Sequence, residues 1–146
     1  MISITEDPID VNKIFVSIKD RTAGATILFT GIVRDHNEIK PVSEIYYEAY
    51  QKMAENVLAK IEEEALKKWK ITKFIAIHRT GNLKVGDVSV IVAVSSEHRK
   101  EAFQSCKYGI DSIKARVPIW KKEISDSDSS WVSGSLIQKT RSEKDV

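Results

Sequence analysis

The stretch TKFIAIHRTGNLKVGDVSVIVAVS, residues 72–95, decides how this chain is read. Its ends, 72–79 and 87–95, are rich in Ile, Val and Phe and have strand character. Between them Thr80-Gly81-Asn82-Leu83-Lys84-Val85-Gly86-Asp87 carries turn residues. Working outward, helical spacing appears on both sides. Residues 50–69 place Met53, Val57, Leu58, Ile61, Ala65 and Leu66 on one face, and a third helix is expected over 97–115. That helix must stop before Pro118, because the residue ahead of a proline disfavours helical geometry. Beyond the helices lie strands at 43–49 and 118–124. From 43 to 124 the order is therefore strand, helix, strand, strand, helix, strand, the split βαβ order of ferredoxin-like units. It predicts an α+β domain, with a mostly antiparallel sheet and helices packed on one face.

The N-terminal third adds to this frame. Asp7-Pro8 reads as a helix start, with Asp7 as cap and Pro8 at the first helical position. Val11, Ile14, Phe15 and Ile18 follow at helical spacing. Residues 24–34 read as a strand and 35–41 as a polar loop ending at Pro41. Toward the C-terminus, 126–130 reads as a loop. The domain is expected over 1–133, with a polar tail at 134–146.

Bulk properties exclude several classes. The 146 residues are 42% hydrophobic and 30% charged, ordinary for one globular domain. No apolar run approaches the roughly 20 residues of a membrane span. The N-terminus lacks the basic-then-apolar pattern of a secretory signal, so a cytoplasmic location is expected. A net charge of +2 gives no argument for nucleic acid. The single cysteine, Cys106, rules out an internal disulfide and a multi-cysteine zinc site.

Four basic or titratable clusters sit at element ends: Arg34-Asp35-His36-Asn37, His78-Arg79, His98-Arg99-Lys100, and Lys114, Arg116, Lys121 and Lys122 around Pro118. Side chains at such places can converge on a ligand from a rigid scaffold. The His98-Arg99 group, following Ser95-Ser96-Glu97, sits where a helix N-terminus favours anions. The alternative there is an ordinary Ser96 cap with solvated neighbours. Lys114 and Lys121 either form a cationic pair of lowered pKa, able to act as base or nucleophile, or extend into water. His36, His78 and His98 lack the spacing of a metal motif, and neither metal nor cofactor is expected. Cys106 falls on the stripe Phe103, Cys106, Ile110, Ile113 and reads as a buried small hydrophobe. Tyr46, Tyr47 and Tyr50 with Met53 read as core and sheet surface, or as a stacking platform for a flat ring. The residues alone thus reach an α+β domain with convergent cations, suited to a small phosphorylated or carboxylated ligand.

Several segments carry a resemblance. Gly31-Ile32-Val33-Arg34-Asp35-His36-Asn37, Tyr47-Glu48-Ala49-Tyr50, Ile77-His78-Arg79-Thr80-Gly81, Val92-Ala93-Val94-Ser95-Ser96-Glu97-His98-Arg99 and Ile113-Lys114-Ala115-Arg116-Val117-Pro118-Ile119-Trp120-Lys121-Lys122-Glu123, followed by Trp131, stand in an order that resembles the large, catalytic subunit of molybdopterin synthase. The resemblance implies an α/β hammerhead-like fold with an extra small antiparallel sheet. It implies conversion of cyclic pyranopterin monophosphate into molybdopterin, with sulfur from the thiocarboxylated Gly-Gly tail of a small ubiquitin-like subunit. It also implies a homodimer within a heterotetramer. Carried over by position, Lys114 and Lys121 match the family lysines nearest the chemistry. Arg34, His98 and Arg99 match its substrate-binding residues, and some of these groups are expected to reach the site from a neighbouring subunit. The loop Glu38-Ile39-Lys40-Pro41 departs from the family in lacking a glycine. A non-enzymatic protein that binds a small anion or nucleotide and regulates a partner is the competing class.

Overall fold

β6 (Val88–Ser96) runs through the middle of the molecule, and all of its residues from Ser89 to Ser96 are buried. A strand buried on both sides needs a neighbour at each edge and cover on each face. The computed structural model, which describes residues 1–125 and 128–132, supplies both. β4 (Lys73–Arg79) and β2 (Ala25–Ile32) flank β6 antiparallel, and β1 (Ile2–Thr5) joins β4 in parallel, giving the order β1-β4-β6-β2. A second, wholly antiparallel sheet has the order β5-β3-β7-β8, built from β3 (Glu44–Ala49), β5 (Gly81–Lys84), β7 (Ile119–Ser125) and β8 (Asp128–Val132). The α+β class and the extra antiparallel sheet are as expected.

Side chains alternate across a strand, so β6 presents two faces. Val90, Val92 and Val94 meet α2 (Gln51–Lys68) and α3 (Arg99–Arg116) through Ala54, Leu58, Ile61, Ala65, Cys106 and Ile113. Ile91 and Ala93, with Ile75 and Ile77 of β4, meet Ile14 and Ile18 at α1 (Val11–Ser17). Helices therefore cover both faces of this sheet, a correction to the one-face expectation. α3 approaches closely because its inner face is small: a Cβ at Gly109 would lie 2.9 Å from Val92 and 3.0 Å from Phe74.

The single-sheet reading of 43–124 is also corrected. β3 pairs with β7 and β4 with β6, as the split βαβ order requires, but β2 takes the place beside β6 that β3 would have filled. The segment 80–87, read as turn, contains β5. Its glycines carry the turns at positive φ, +88° at Gly81 and +93° at Gly86, while Leu83 between them is fully buried. Residues 128–130, read as loop, pair with β7 as part of an edge strand. Such a strand needs backbone partners on only one side, and its polar residues were no obstacle. The expected tail at 134–146 lies outside the described residues.

Local boundaries shift for definable reasons. α1 is capped by Asp10, whose carboxylate accepts from Lys13 N at 3.0 Å, not by Asp7; the backbone N–H of Asp7 donates instead to Thr5 Oγ1. Phe15 stands outside the buried stripe. On α2 the buried stripe is Ala54, Leu58, Ile61 and Ala65, so Met53 and Leu66 are exposed. On α3, Phe103 is exposed, and the cap position is His98 rather than Ser96, which ends β6. The helix stops at Arg116, one residue ahead of Val117-Pro118, as the proline demands. Among the described residues no helix is long and apolar enough to cross a membrane.

Leu58→Ala is expected to lower the unfolding free energy by about 2–5 kcal/mol, the cost of a cavity in a closed core. Met53→Ala, on the open side of the same helix, should stay within about 0.5 kcal/mol. Urea unfolding of the two variants would check the contrast.

Candidate functional site

Where the two sheets adjoin, a pocket of about 180 Å³ opens between the end of β2, the loop after it, β3, β7 and the last turn of α3. Strand alternation fills it. Tyr47 is paired in register with Lys121, and Ile45 with Glu123, so these four side chains share one face of the second sheet. Lys114 enters from the C-terminal turn of α3, Arg34 from just beyond β2, and Ser89 from the start of β6. The corner at Val117-Pro118 turns the chain from helix to strand and brings both lysines to one cavity.

The cations are arranged unequally. Lys121 is half-buried, with its Nζ 3.6 Å from Glu123 Oε1. Lys114 has no hydrogen-bond or ion-pair partner among the described residues. Its side chain has solvent access, yet protein crowds its amine. That desolvation first, and the charge of Lys121 second, lower its pKa from the usual lysine value. Arg34 is exposed at the pocket mouth.

Behind these groups lies an uncharged buried layer. His78, 3% exposed, points Nδ1 at the carbonyl of Arg79 at 2.8 Å and stands edge-on to Tyr47, ring centroids 5.0 Å apart. Burial pushes its pKa down to about 4, with the charge of Lys114 adding to the effect against the Arg79 carbonyl, so the ring is neutral at pH 7. The Tyr47 hydroxyl is held above its ordinary pKa, chiefly by burial.

Of the five residues singled out by sequence, Arg34, Lys114 and Lys121 meet in this pocket. His98 and Arg99 do not. They are exposed at the opposite end of α3, roughly 22 Å away along the helix axis from Arg99 to Lys114. Glu123 and Ser89 join Arg34, Lys114 and Lys121 without having been singled out, and Tyr47, read as core or as a stacking platform, lines the same pocket. The signal for Glu123 was its place two residues from Lys121, the same side of a strand. Among the described residues no three His, Cys, Asp or Glu side chains converge as a metal ion would need.

Residues 4–116 match the family model described as MoaE protein. The chain belongs to the MoaE family. A MoaE relative from Pyrococcus abyssi, described as molybdopterin synthase catalytic subunit, is 36% identical over 135 residues, 91% of each chain. The crystal structure of molybdopterin synthase from Staphylococcus aureus superposes with a TM-score of 0.84 at 40% identity, over 89% of this chain and 95% of that one. At 18% identity, a Helicobacter pylori chain shares the fold with a TM-score of 0.76 over 90% of each chain; its structure is described as a protein–protein complex of subunit 1 and 2 of molybdopterin-converting factor.

The buried histidine makes stability depend on pH. Unfolded, His78 takes up its proton near pH 6.5; folded, only near 4. Stability is therefore full above about pH 6.5 and falls as pH drops toward 4. Between pH 7 and 5 the loss from this group should be about 2 kcal/mol. Denaturant titrations of wild type and His78→Gln at the two pH values should show that pH-dependent difference disappear in the variant.

Proposed function

We propose that this chain works as the catalytic subunit of a molybdopterin synthase, converting cyclic pyranopterin monophosphate into molybdopterin. In this reading sulfur comes from the thiocarboxylated tail of a small ubiquitin-like subunit. The observation that carries it is the pocket in which Lys114, without a counter-ion among the described residues, faces Lys121 and Arg34. A phosphate or thiocarboxylate entering there meets fixed positive charge in a partly desolvated site, where such contacts are strongest. Once sulfur is bonded to the pterin, water adds to the glycine carbonyl that Lys114 polarises, the carbon–sulfur bond breaks, and the tail of the small subunit leaves as a carboxylate. The lowered pKa of Lys114 favours return to the free amine between steps. Lys121, oriented by Glu123, contacts the substrate and moves protons, and Arg34 holds the phosphate.

His98 and Arg99 take part only if a second protomer offers the start of its α3 to this pocket, since their own chain holds them at the far end of the helix. A homodimer flanked by two small subunits, in the cytoplasm, is the assembly in keeping with this. The regulatory anion-binding alternative has no observation in its favour.

Sulfur does not pass through this chain's own thiol in this scheme. Cys106 is 3% exposed, its Sγ donates to the Val92 carbonyl at 3.5 Å, and burial pushes the thiol up to about 11. A sulfur-carrying cysteine needs an accessible thiolate.

Incubation with thiocarboxylated small subunit and the cyclic pterin, followed by mass analysis, tests the reading. Molybdopterin should form, and Lys114→Ala should slow it by about 10²-fold or more with the fold retained. Wild-type turnover by folded Lys114→Ala protein would remove the lysine from the chemistry. In the same assay Cys106→Ala should keep most activity while losing about 1 kcal/mol of stability. A folded, inactive Cys106→Ala protein would route sulfur through the chain.

A further inference from the structure

Asn37, the neutral last residue of the Arg34-Asp35-His36-Asn37 group, has every polar atom of its side chain engaged. Its Oδ1 accepts from the backbone N–H of Ile39 and of Lys40, both at 2.8 Å, and its backbone N–H donates to the Lys40 carbonyl at 2.9 Å. These bonds fold the loop 35–41 on itself. Its base is closed by Val42 N donating to Asp35 O at 2.8 Å and by the bridge between His36 and Pro41. The remaining group, Nδ2, crosses to the second sheet and donates to Glu123 Oε2.

Glu123 is 6% exposed in the pocket wall. A carboxylate so buried is stable only with its lone pairs occupied. Its two oxygens are divided: Oε2 accepts from Asn37, and Oε1 faces Lys121 Nζ at 3.6 Å. A carboxyl group held by one oxygen cannot turn about its Cγ–Cδ bond without breaking that hydrogen bond. Asn37 thereby fixes the direction in which Glu123 offers negative charge to Lys121. The same contact joins the chain that carries Arg34 and His36 to the strand that carries Lys121.

We infer that Asn37 is a positioning residue for sulfur transfer, which acts through Glu123 to aim the Lys121 amine and to hold the Arg34 loop at the pocket mouth. The inference rests on the reading that Lys121 works at this pocket. A neutral amide suits this role because it directs a carboxylate without adding charge to a cavity meant for an anion. Lysine has four rotatable bonds, and a misplacement of about 1 Å near reacting atoms can cost about 10²-fold in rate.

Asn37→Asp separates aiming from loop folding. Aspartate keeps the oxygen that Ile39 and Lys40 need, but it sets a second carboxylate against Glu123. The expected result in the reconstituted two-subunit enzyme is a kcat lower by about tenfold to a hundredfold, read well below a thermal melt that the like-charge contact lowers, with the KM for the pterin changed far less. Glu123→Gln placed on top returns a donor to the pair, with amide and carboxylate exchanged. The double variant should be faster than either single variant, a rescue that a merely structural role would not produce. Asn37→Ser keeps an acceptor for the loop, but its single short hydroxyl does not span to Glu123 as Nδ2 does, so it should lower kcat in the same sense and carries the test should Asn37→Asp not fold. A kcat for Asn37→Asp within about twofold of wild type, or a double variant no faster than the slower single one, overturns the role of Asn37. Lys121→Ala run in parallel tells the two readings apart. An impaired Lys121→Ala beside an unimpaired Asn37→Asp removes only the positioning role. Wild-type turnover by Lys121→Ala removes the lysine reading and the inference with it.

Discussion

Burial of β6 on both faces is the constraint on which the rest of the structure depends. Eight successive residues without solvent access have no polar face to turn outward, so the valines must be covered by α2 and α3 and the Ile91–Ala93 side by α1. Both edges must be filled as well, by β4 and β2. Once β2 holds the edge beside β6, its end is fixed next to the start of β6. Gly31 there packs so closely that a Cβ would lie 2.6 Å from Val90. The chain leaving this point carries Arg34, and Ser89 faces the same pocket. One wall of the site thus follows from packing that has nothing to do with a ligand.

The other wall follows from charge. Two lysines and an arginine brought together repel, and a folded protein tolerates that only with compensation or with an anion to come. Glu123 compensates one of them. His78, which if protonated would add a fourth positive charge, is held neutral by burial, and burial likewise raises the pKa of Tyr47. What is left over is positive charge at Lys114 and Arg34, pointed into the space a substrate would fill.

Much of this was legible in the sequence, for physical reasons. Apolar runs rich in Ile and Phe or in Val, and helical stripes, mark β4, β6, α2 and α3 because burial selects residue types strongly there. The Lys114–Pro118–Lys121 spacing marks a helix-to-strand corner. What escaped had weaker local signals. β5 is four residues that begin at Gly81 itself, and its one buried core residue is Leu83. The exchange of β3 for β2 beside β6 is a long-range choice that no window of sequence records. Met53 and Leu66 fell one position off the buried stripe because α2 is covered by small residues such as Ala54 and Ala65, which periodicity weighs lightly. Glu123 was hidden by its type, since a carboxylate in a strand usually means a solvated face. Arg99 was legible as a helix-start cation, but not its distance from the pocket, which is set by the length of α3.

The corner at Pro118 has a mechanical side. Lys114 belongs to a helix seated on the first sheet, while Lys121 belongs to the second. The junction between the sheets is packed by Val33, Val42, Ile45, Tyr47 and Leu83, with Ile119 beside them. The two amines therefore reach one cavity from different sheets, with this small apolar cluster packed beside the strand that carries Lys121. The spacing of the two charges is accordingly a property of tertiary packing, and a substitution inside the cluster would reach both lysines without touching either.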